Sequence, residues 1–292
     1  MVSIVPVYGQ GVKMIKAIIL DIDGTLTNSE KIITPETKKA LLAAQKMGIR
    51  LALASARSDN GLKRFGRWLD FERNEGIYIC YNGGLILNSG TGEVYFEKTM
   101  PAELCREILE HLKSFDCIPM INKGPYMYLN DVYRKIRVAG KETDIIQYET
   151  RSNEFLICEQ KDLAAFVDFP LAKILAAASD DYLREHADEL GAPFAGRAKT
   201  GLTAPFFYEF NAKGVDKAAA IEKAFPALGI SPDEMMAFGD AQNDLSMISY
   251  VKYGIAMGNA VRELKDAAFD VTDDNDHDGI AKALYKYIPE LE

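Results

Sequence analysis

The chain has no basic excess, no paired cysteines and no long apolar run. Lys and Arg number 34 against 43 Asp and Glu, a formal charge of −9, and no basic stretch offsets it. That balance argues against a nucleic-acid or anionic-membrane partner. Cys80, Cys105, Cys117 and Cys158 form no C-x-x-C pair, and such widely spaced thiols fit core packing in a reducing cytosol. Nothing approaches the roughly 20 apolar residues of a membrane span. His111, His186 and His277 are isolated and share no motif, so surface or capping roles are expected of them. No internal repeat or low-complexity tract is present. Residues 1–13 lack the basic start and long apolar stretch of a signal peptide. They are expected to be a disordered lead or a mis-assigned start ahead of Met14.

What is present is length and pattern. At 292 residues and 48% hydrophobic, the chain can bury a sizeable core and is comfortable for two domains. Lys16-Ala17-Ile18-Ile19-Leu20 reads as a buried strand, and Asp21-Ile22-Asp23-Gly24-Thr25 follows directly. Asp21 and Asp23 flank one residue, so both leave an extended backbone on the same side. Two like charges there repel unless a cation or a shared proton lies between them. In open α/β sheets the ligand crevice lies at the carboxyl ends of the strands. The same residue types also make an ordinary strand end and turn.

Helices are expected at 35–47, with Thr34 as N-cap and Pro35 in the first turn, and at 60–69. Strands are expected at 49–54 and 77–81, and the alternation implies parallel pairing with right-handed crossovers. A hairpin of 85–87 and 94–96 follows. The rhythm then changes to a helix at 101–113, an antiparallel pair at 117–122 and 126–130, a helix at 161–167, a strand at 173–178, a helix at 180–190 and a strand at 206–210. The first pattern returns with a helix at 215–225, a capping box at Ser231-Pro232-Asp233-Glu234, and strands at 235–238 and 255–257. The expected fold class is α/β, with a Rossmann-like parallel-sheet core from residues 14–98 and 209–292. An α+β domain is inserted over 99–208.

Four segments resemble, in order, the motifs of the haloacid dehalogenase-like (HAD) phosphatases. They are Asp21-Ile22-Asp23-Gly24-Thr25-Leu26-Thr27, Leu51-Ala52-Leu53-Ala54-Ser55-Ala56-Arg57, Gly214-Val215-Asp216-Lys217 and Phe238-Gly239-Asp240-Ala241-Gln242-Asn243-Asp244. Gly258-Asn259-Ala260 and Asp278-Gly279-Ile280 are similar to signatures of the Cof-like branch. An insertion between the second and third motifs resembles a cap of type IIB. By that resemblance the cap would close over the acidic site and choose the substrate.

The resemblance implies a role for each matching residue. Asp21 would be the nucleophile that becomes an aspartyl-phosphate, and Asp23 the general acid and then base, a role that needs a raised pKa. Lys217 would pair with Asp21 and the phosphoryl group, with Lys213 as a rival four residues earlier. Ser55 would donate to a phosphoryl oxygen beside the backbone of Ala56, where the family more often has Thr-Gly-Arg. Arg57 would face the phosphate or the cap, or else form a surface ion pair. Asn82 and Asn243 are candidates to sit near the bound phosphate, and Asn82-Gly83 is also an ordinary turn. Mg2+ would be held by the side chains of Asp21 and Asp240 and the backbone carbonyl of Asp23. Asp244 would complete that group as a ligand, or from outside by orienting Lys217 or metal-bound water.

The activity implied is a Mg2+-dependent phosphatase of small phosphorylated metabolites, sugar phosphates foremost, in the cytoplasm and without nucleic-acid or membrane partners. One alternative is a phosphosugar mutase or phosphotransferase resembling the phosphomannomutases, against which the hydrolase-like Ser-Ala-Arg segment weighs. Another is a non-catalytic phosphometabolite-binding protein, which would not need Asp23. Tyr126, Tyr128, Asn130 and Arg134 are candidates to line the closed site, with ordinary packing as their other reading. Tyr126 and Tyr128 share one strand face.

Overall fold

The computed structural model describes residues 14–292, so the expectation for residues 1–13 lies outside the described residues. β1 (Ala17–Leu20) is buried along its whole length, as a strand sandwiched between helical layers must be. α1 (Pro35–Lys46) starts where the Thr34 side chain accepts from Thr37 N, and Gly48 ends it at φ +85°. β2 (Arg50–Ala54), α2 (Asp59–Trp68) and β3 (Ile77–Cys80) continue the alternation, and the three strands pair in parallel. β4 (Leu85–Asn88) and β5 (Val94–Glu97) form the expected hairpin.

The inserted stretch contains α3 (Ala102–Leu112), β6 (Ile118–Lys123), β7 (Tyr126–Leu129), β8 (Ile136–Val138), β9 (Lys141–Thr143), α4 (Ile145–Asn153) and β10 (Leu156–Glu159). It continues through α5 (Leu163–Phe166), β11 (Lys173–Ala177), α6 (Asp180–Gly191), β12 (Ala198–Ala204) and β13 (Phe207–Ala212). The sequence pattern had not suggested β8, β9, α4, β10 or β12. β10 is an edge strand whose short apolar run Leu156-Ile157-Cys158 is largely exposed, and β12 mixes small and polar residues without a clean alternation. The helix expected at 161–167 is only the four residues of α5. The boundary at 208 falls inside β13, which runs on to Ala212.

The chain then adds α7 (Lys217–Ala224), β14 (Met235–Gly239), α8 (Leu245–Tyr250), β15 (Tyr253–Ala256), α9 (Arg262–Ala267), β16 (Asp270–Val271) and α10 (Gly279–Tyr287). α7 starts later than the pattern suggested because Asp216 is its N-cap, accepting from Ala219 N at 2.9 Å. The Ser231–Glu234 capping box is present but caps a 3-10 turn.

Two sheets result. The first runs β16-β15-β14-β1-β2-β3-β4-β5, and the second β10-β7-β6-β11-β13-β12. The architecture is the expected α/β class. In the first sheet Leu20 lies opposite both Phe238 of β14 and Leu53 of β2. The chain therefore leaves three adjacent strands side by side at Asp21, Asp240 and Ser55. Separate apolar clusters fill the two faces of each sheet.

A buried asparagine is one of the contacts that dock the second layer on the first. Asn153, at the end of α4, accepts from Ser58 N and Ser58 Oγ, both at 3.1 Å. Asn60 Nδ2 donates to the carbonyls of Asn153 and Glu154 at 2.8 Å. Gly61 makes room for this contact, since a Cβ there would lie 2.6 Å from Asn153 Oδ1. Gly61→Ala gains helix propensity of about 1 kcal/mol but displaces Asn153, whose buried hydrogen bonds outweigh it at about 1–3 kcal/mol. Faster amide exchange in α4, with α2 no faster than in the wild type, is the expected result; unchanged α4 protection would show the contact to be dispensable.

Candidate active site

The loop after β1 is held in one shape. Gly24 has φ +86°, and a Cβ there would lie 2.4 Å from Asp240 Oδ2, so only glycine fits. Thr25 Oγ1 donates to Asp240 Oδ1 at 2.7 Å, and Asn259 Nδ2 donates to Gly24 O at 2.8 Å. Asp21 N donates to Phe238 O at 3.1 Å, which locks the buried Asp21 beside β14.

Lys217 reaches this point from the first turn of α7, where the helix dipole disfavours a cation. It is fully buried, and its Nζ donates to Asp21 Oδ1 at 2.7 Å, Ala54 O at 2.8 Å and Asp244 Oδ1 at 2.6 Å. An ammonium has three protons, and all three are used. Burial alone would drive its pKa down, but Asp21 and Asp244 more than reverse this and hold it above the ordinary lysine value. Lys213 is exposed, so of the two rivals Lys217 is the one at the cluster. Asp244 Oδ2 accepts from the amides of Asp240 and Ala241, both at 3.1 Å. It thereby fixes the start of the loop that carries Asp240.

Asp21, Asp240 and Asp244 bring carboxylate oxygens within 4.8 Å of one another, with Lys217 as the one ammonium bonded among them. Burial raises the Asp21 pKa well above its ordinary value, with Asp244 adding and Lys217 opposing. Asp240 is also raised, by burial first. An all-oxygen donor set with uncompensated negative charge fits a hard divalent cation.

Asp23 is elsewhere. Its carboxylate accepts from Arg57 Nη2 at 2.8 Å and Nε at 3.1 Å, and from Lys31 Nζ at 3.3 Å. Burial pushes its pKa up, but Arg57 and then Lys31 outweigh this and hold it below the usual carboxylate value. The raised pKa expected of a general acid is therefore absent from this arrangement, because the acid is ion-paired. Arg57 satisfies two of the options left open for it, since its Nη1 also donates to Ser152 O in the second layer.

The buried Ser55 donates its amide to Ile79 O at 2.9 Å, and its Oγ accepts from Arg57 N at 3.3 Å. Ala56 is outside the left-handed backbone region, so alanine in the glycine position is unstrained. Asn82 has φ +55°, a region asparagine tolerates. Its amide donates to Ser55 O at 2.9 Å and its Oδ1 accepts from Asn243 Nδ2 at 3.0 Å, so Asn82 and Asn243 bridge β3 to the β14 loop.

Sequence reasoning missed Lys31, Thr25 as a partner of Asp240, and two charged residues of the second layer, Lys173 and Glu209. Lys173 Nζ lies 3.2 Å from Glu209 Oε1 and 3.5 Å from Ala56 O. A charged residue inside an apolar strand, as in Phe207-Tyr208-Glu209-Phe210, was the available signal. Tyr128 lies opposite Ile121 and stacks near Phe166 at 4.8 Å. It therefore occupies the sheet face away from Lys173, and Tyr126 shares that face by the strand period. Arg134 pairs with Asp116 and donates to Cys117 O at 3.1 Å. The packing reading holds for Tyr128, and the candidate lining of Tyr126, Tyr128 and Arg134 is corrected accordingly. Asn130 is exposed.

A sequence profile of the haloacid dehalogenase-like hydrolases matches residues 18–284. A solved haloacid dehalogenase-like hydrolase from Bacteroides thetaiotaomicron superposes with a TM-score of 0.86 at 32% identity, over 93% of this chain and 99% of its own. YxeH of Bacillus subtilis is 28% identical over 277 residues, 94% of this chain and 99% of its length. The 5-amino-6-(5-phospho-D-ribitylamino)uracil phosphatase YcsE of Bacillus subtilis is 28% identical over 280 residues, 94% of this chain and 96% of its length.

Removing the ammonium isolates the whole cluster. Lys217→Met is expected to destabilise the fold by about 3–5 kcal/mol near neutral pH. Without it burial and the neighbouring carboxylates raise the Asp21 pKa further above its unfolded value. Stability is then retained below the unfolded carboxylate pKa and lost as pH rises. Urea denaturation should show a wider gap from the wild type at about pH 8 than at about pH 5; a gap independent of pH would contradict this electrostatic account.

Proposed function

The chain belongs to the haloacid dehalogenase-like hydrolases, in their Cof-like phosphatase branch, and we propose that it is a Mg2+-dependent phosphatase of small phosphorylated metabolites, sugar phosphates foremost. The observation that carries this is the buried Lys217 bridging Asp21 and Asp244 beside Asp240. Its relative YcsE is named for a phosphorylated ribityl compound, which favours a sugar-like leaving group. The inserted layer, residues 99–208 in outline, acts as the cap. Four unpaired cysteines favour a reducing compartment, and we place the enzyme in the cytoplasm. Among the described residues no helix is long and apolar enough to cross a membrane.

Asp21, Asp240 and the backbone carbonyl of Asp23 would hold the cation, which would supply the positive charge that lets an anionic phosphate approach an anionic nucleophile. Lys217 favours the ionised form of Asp21 against its burial and aims the carboxylate. One Asp21 oxygen attacks phosphorus, the bond to the leaving oxygen breaks, and Asp23 delivers a proton to that oxygen. Water then attacks the aspartyl-phosphate, Asp23 takes a proton from it, and Asp21 is released with inorganic phosphate. Ser55 Oγ and neighbouring amides hold the phosphoryl oxygens, where preorganised donors act most strongly. Asp23 must loosen from Arg57 to carry a proton at all, because the pair favours the ionised carboxylate. Asp244, whose two oxygens already take three hydrogen bonds, orients Lys217 and the Asp240 loop.

Phosphate release from a panel of phosphorylated sugars, nucleotides and cofactor precursors tests this, with Mg2+ or with chelator. Mg2+-dependent release abolished in Asp21→Asn is the expected outcome. Asp23→Asn should lower kcat by about 10²–10⁴-fold. Release that survives Asp21→Asn would remove the nucleophile assignment, and release that appears only with a sugar bisphosphate activator would favour a mutase.

A further inference from the structure

Strand register gathers four polar side chains at one corner of the second sheet. Leu175 of β11 lies opposite Met120 of β6 and Glu209 of β13. Side chains alternate between faces, so Lys173, Asn122, Glu209 and Asn211 share a face with Leu175. Farther along that face Ile118, Met120, Met127, Ala177 and Phe207 are buried in a cluster with Ile145 and Ile146 of α4. Two of the polar four instead meet the loops of the first sheet. Lys173 Nζ donates to Ala56 O at 3.5 Å and Asn122 Nδ2 donates to Tyr81 OH at 2.6 Å. Ala56 adjoins Ser55 and lies two residues past Ala54, whose carbonyl Lys217 grips. Two extended residues span about 7 Å, so the corner overhangs the mouth of the acidic site.

Its bonding capacity is unfinished. Among the described residues Lys173 donates to Glu209 and Ala56 O, which uses two of three protons. Glu209 takes Lys173 on Oε1 and Asn211 Nδ2 on Oε2 at 3.3 Å, and each oxygen can accept again. A spare donor beside spare acceptors matches neighbouring hydroxyls. The charges of Lys173 and Glu209 cancel, and Glu149, whose charge also acts on Lys173, is pushed toward its neutral form by burial. Arg57 is paired with Asp23, and the Glu209 carboxylate at the corner disfavours a second phosphate.

We infer that Asn122, Lys173, Glu209 and Asn211 form the recognition site for the leaving group, and that it takes an uncharged polyhydroxylated one. The inference rests on the phosphatase reading and gives its substrate class a location. Glu209 and Lys173 touch the hydroxyls nearest the scissile bond, and Asn122 and Asn211 flank them.

The test compares sorbitol 6-phosphate, fructose 1,6-bisphosphate and phenyl phosphate as substrates of the wild type, Glu209→Gln and Asn211→Ala. The wild type is expected to prefer sorbitol 6-phosphate to both others. In each variant the preference over phenyl phosphate should fall about 10–100-fold, through KM rather than kcat. Turnover of phenyl phosphate shows that a variant is folded, and Asn211→Ala covers the case in which Glu209→Gln is not. Preference unchanged in both variants, or a wild type that favours the bisphosphate, overturns the inference while leaving the phosphatase reading intact. If the wild type hydrolyses none of the three, that reading fails and calorimetry decides the corner separately. Tighter binding of sorbitol 6-phosphate than phenyl phosphate, lost in Glu209→Gln, supports it, and equal binding overturns it.

Discussion

One ammonium organises the site. Lys217 is buried completely, against the dipole of its own helix, and is tolerable there only because two carboxylates and a carbonyl take its three protons. Those acceptors come from the ends of β1 and β2 and from the loop after β14, which are neighbours in the sheet. The sheet order thus delivers the partners, and the partners justify the lysine. Removing any one leaves a buried charge without its complement, so the cluster stands or falls together. The same shortage of positive charge that strains the three carboxylates is what makes the place suitable for a divalent cation.

Much of this could be read from the chain before any coordinates, and the reason is local. β1, β2, β3 and β14 are short apolar runs closed by turn residues, and each ends in the group that matters. Asp216 betrayed the start of α7 only in part, because an N-cap looks like any other polar residue until its side chain is seen to accept from Ala219 N. What could not be read depends on distant partners. Nothing near Asp23 in sequence announces that Arg57 and Lys31 will hold its carboxylate down. β8, β9 and β10 carry too few buried side chains to leave a pattern, and β12 hides its pairing in a mixture of small and polar residues. Tyr126 and Tyr128 misled because alternation identifies a shared face without saying which face meets the site.

The two layers divide the work by origin. The acidic cluster, Ser55 and the Asn82–Asn243 bridge all come from strand ends of the first sheet, where rigid neighbours set their positions. Lys173 and Glu209 come from two interior strands of a different sheet, which meets the first through Asn153 and Asn60, Arg57 and Asn122. The proposed catalytic cluster and the proposed recognition corner are consequently supported by separate hydrophobic cores. A substitution on β11 or β13 can alter what fits without touching any partner of Lys217.

Arg57 is the exception to that separation. A single guanidinium holds the Asp23 carboxylate on one side and the Ser152 carbonyl on the other. Under the proposed mechanism, passage of a substrate by the second layer and the acidity of Asp23 are therefore not two adjustable quantities but one coordinate. Kinetically, an agent that holds the layers apart and one that alters the Asp23 environment act on the same variable, so their effects on turnover do not multiply as those of independent steps would.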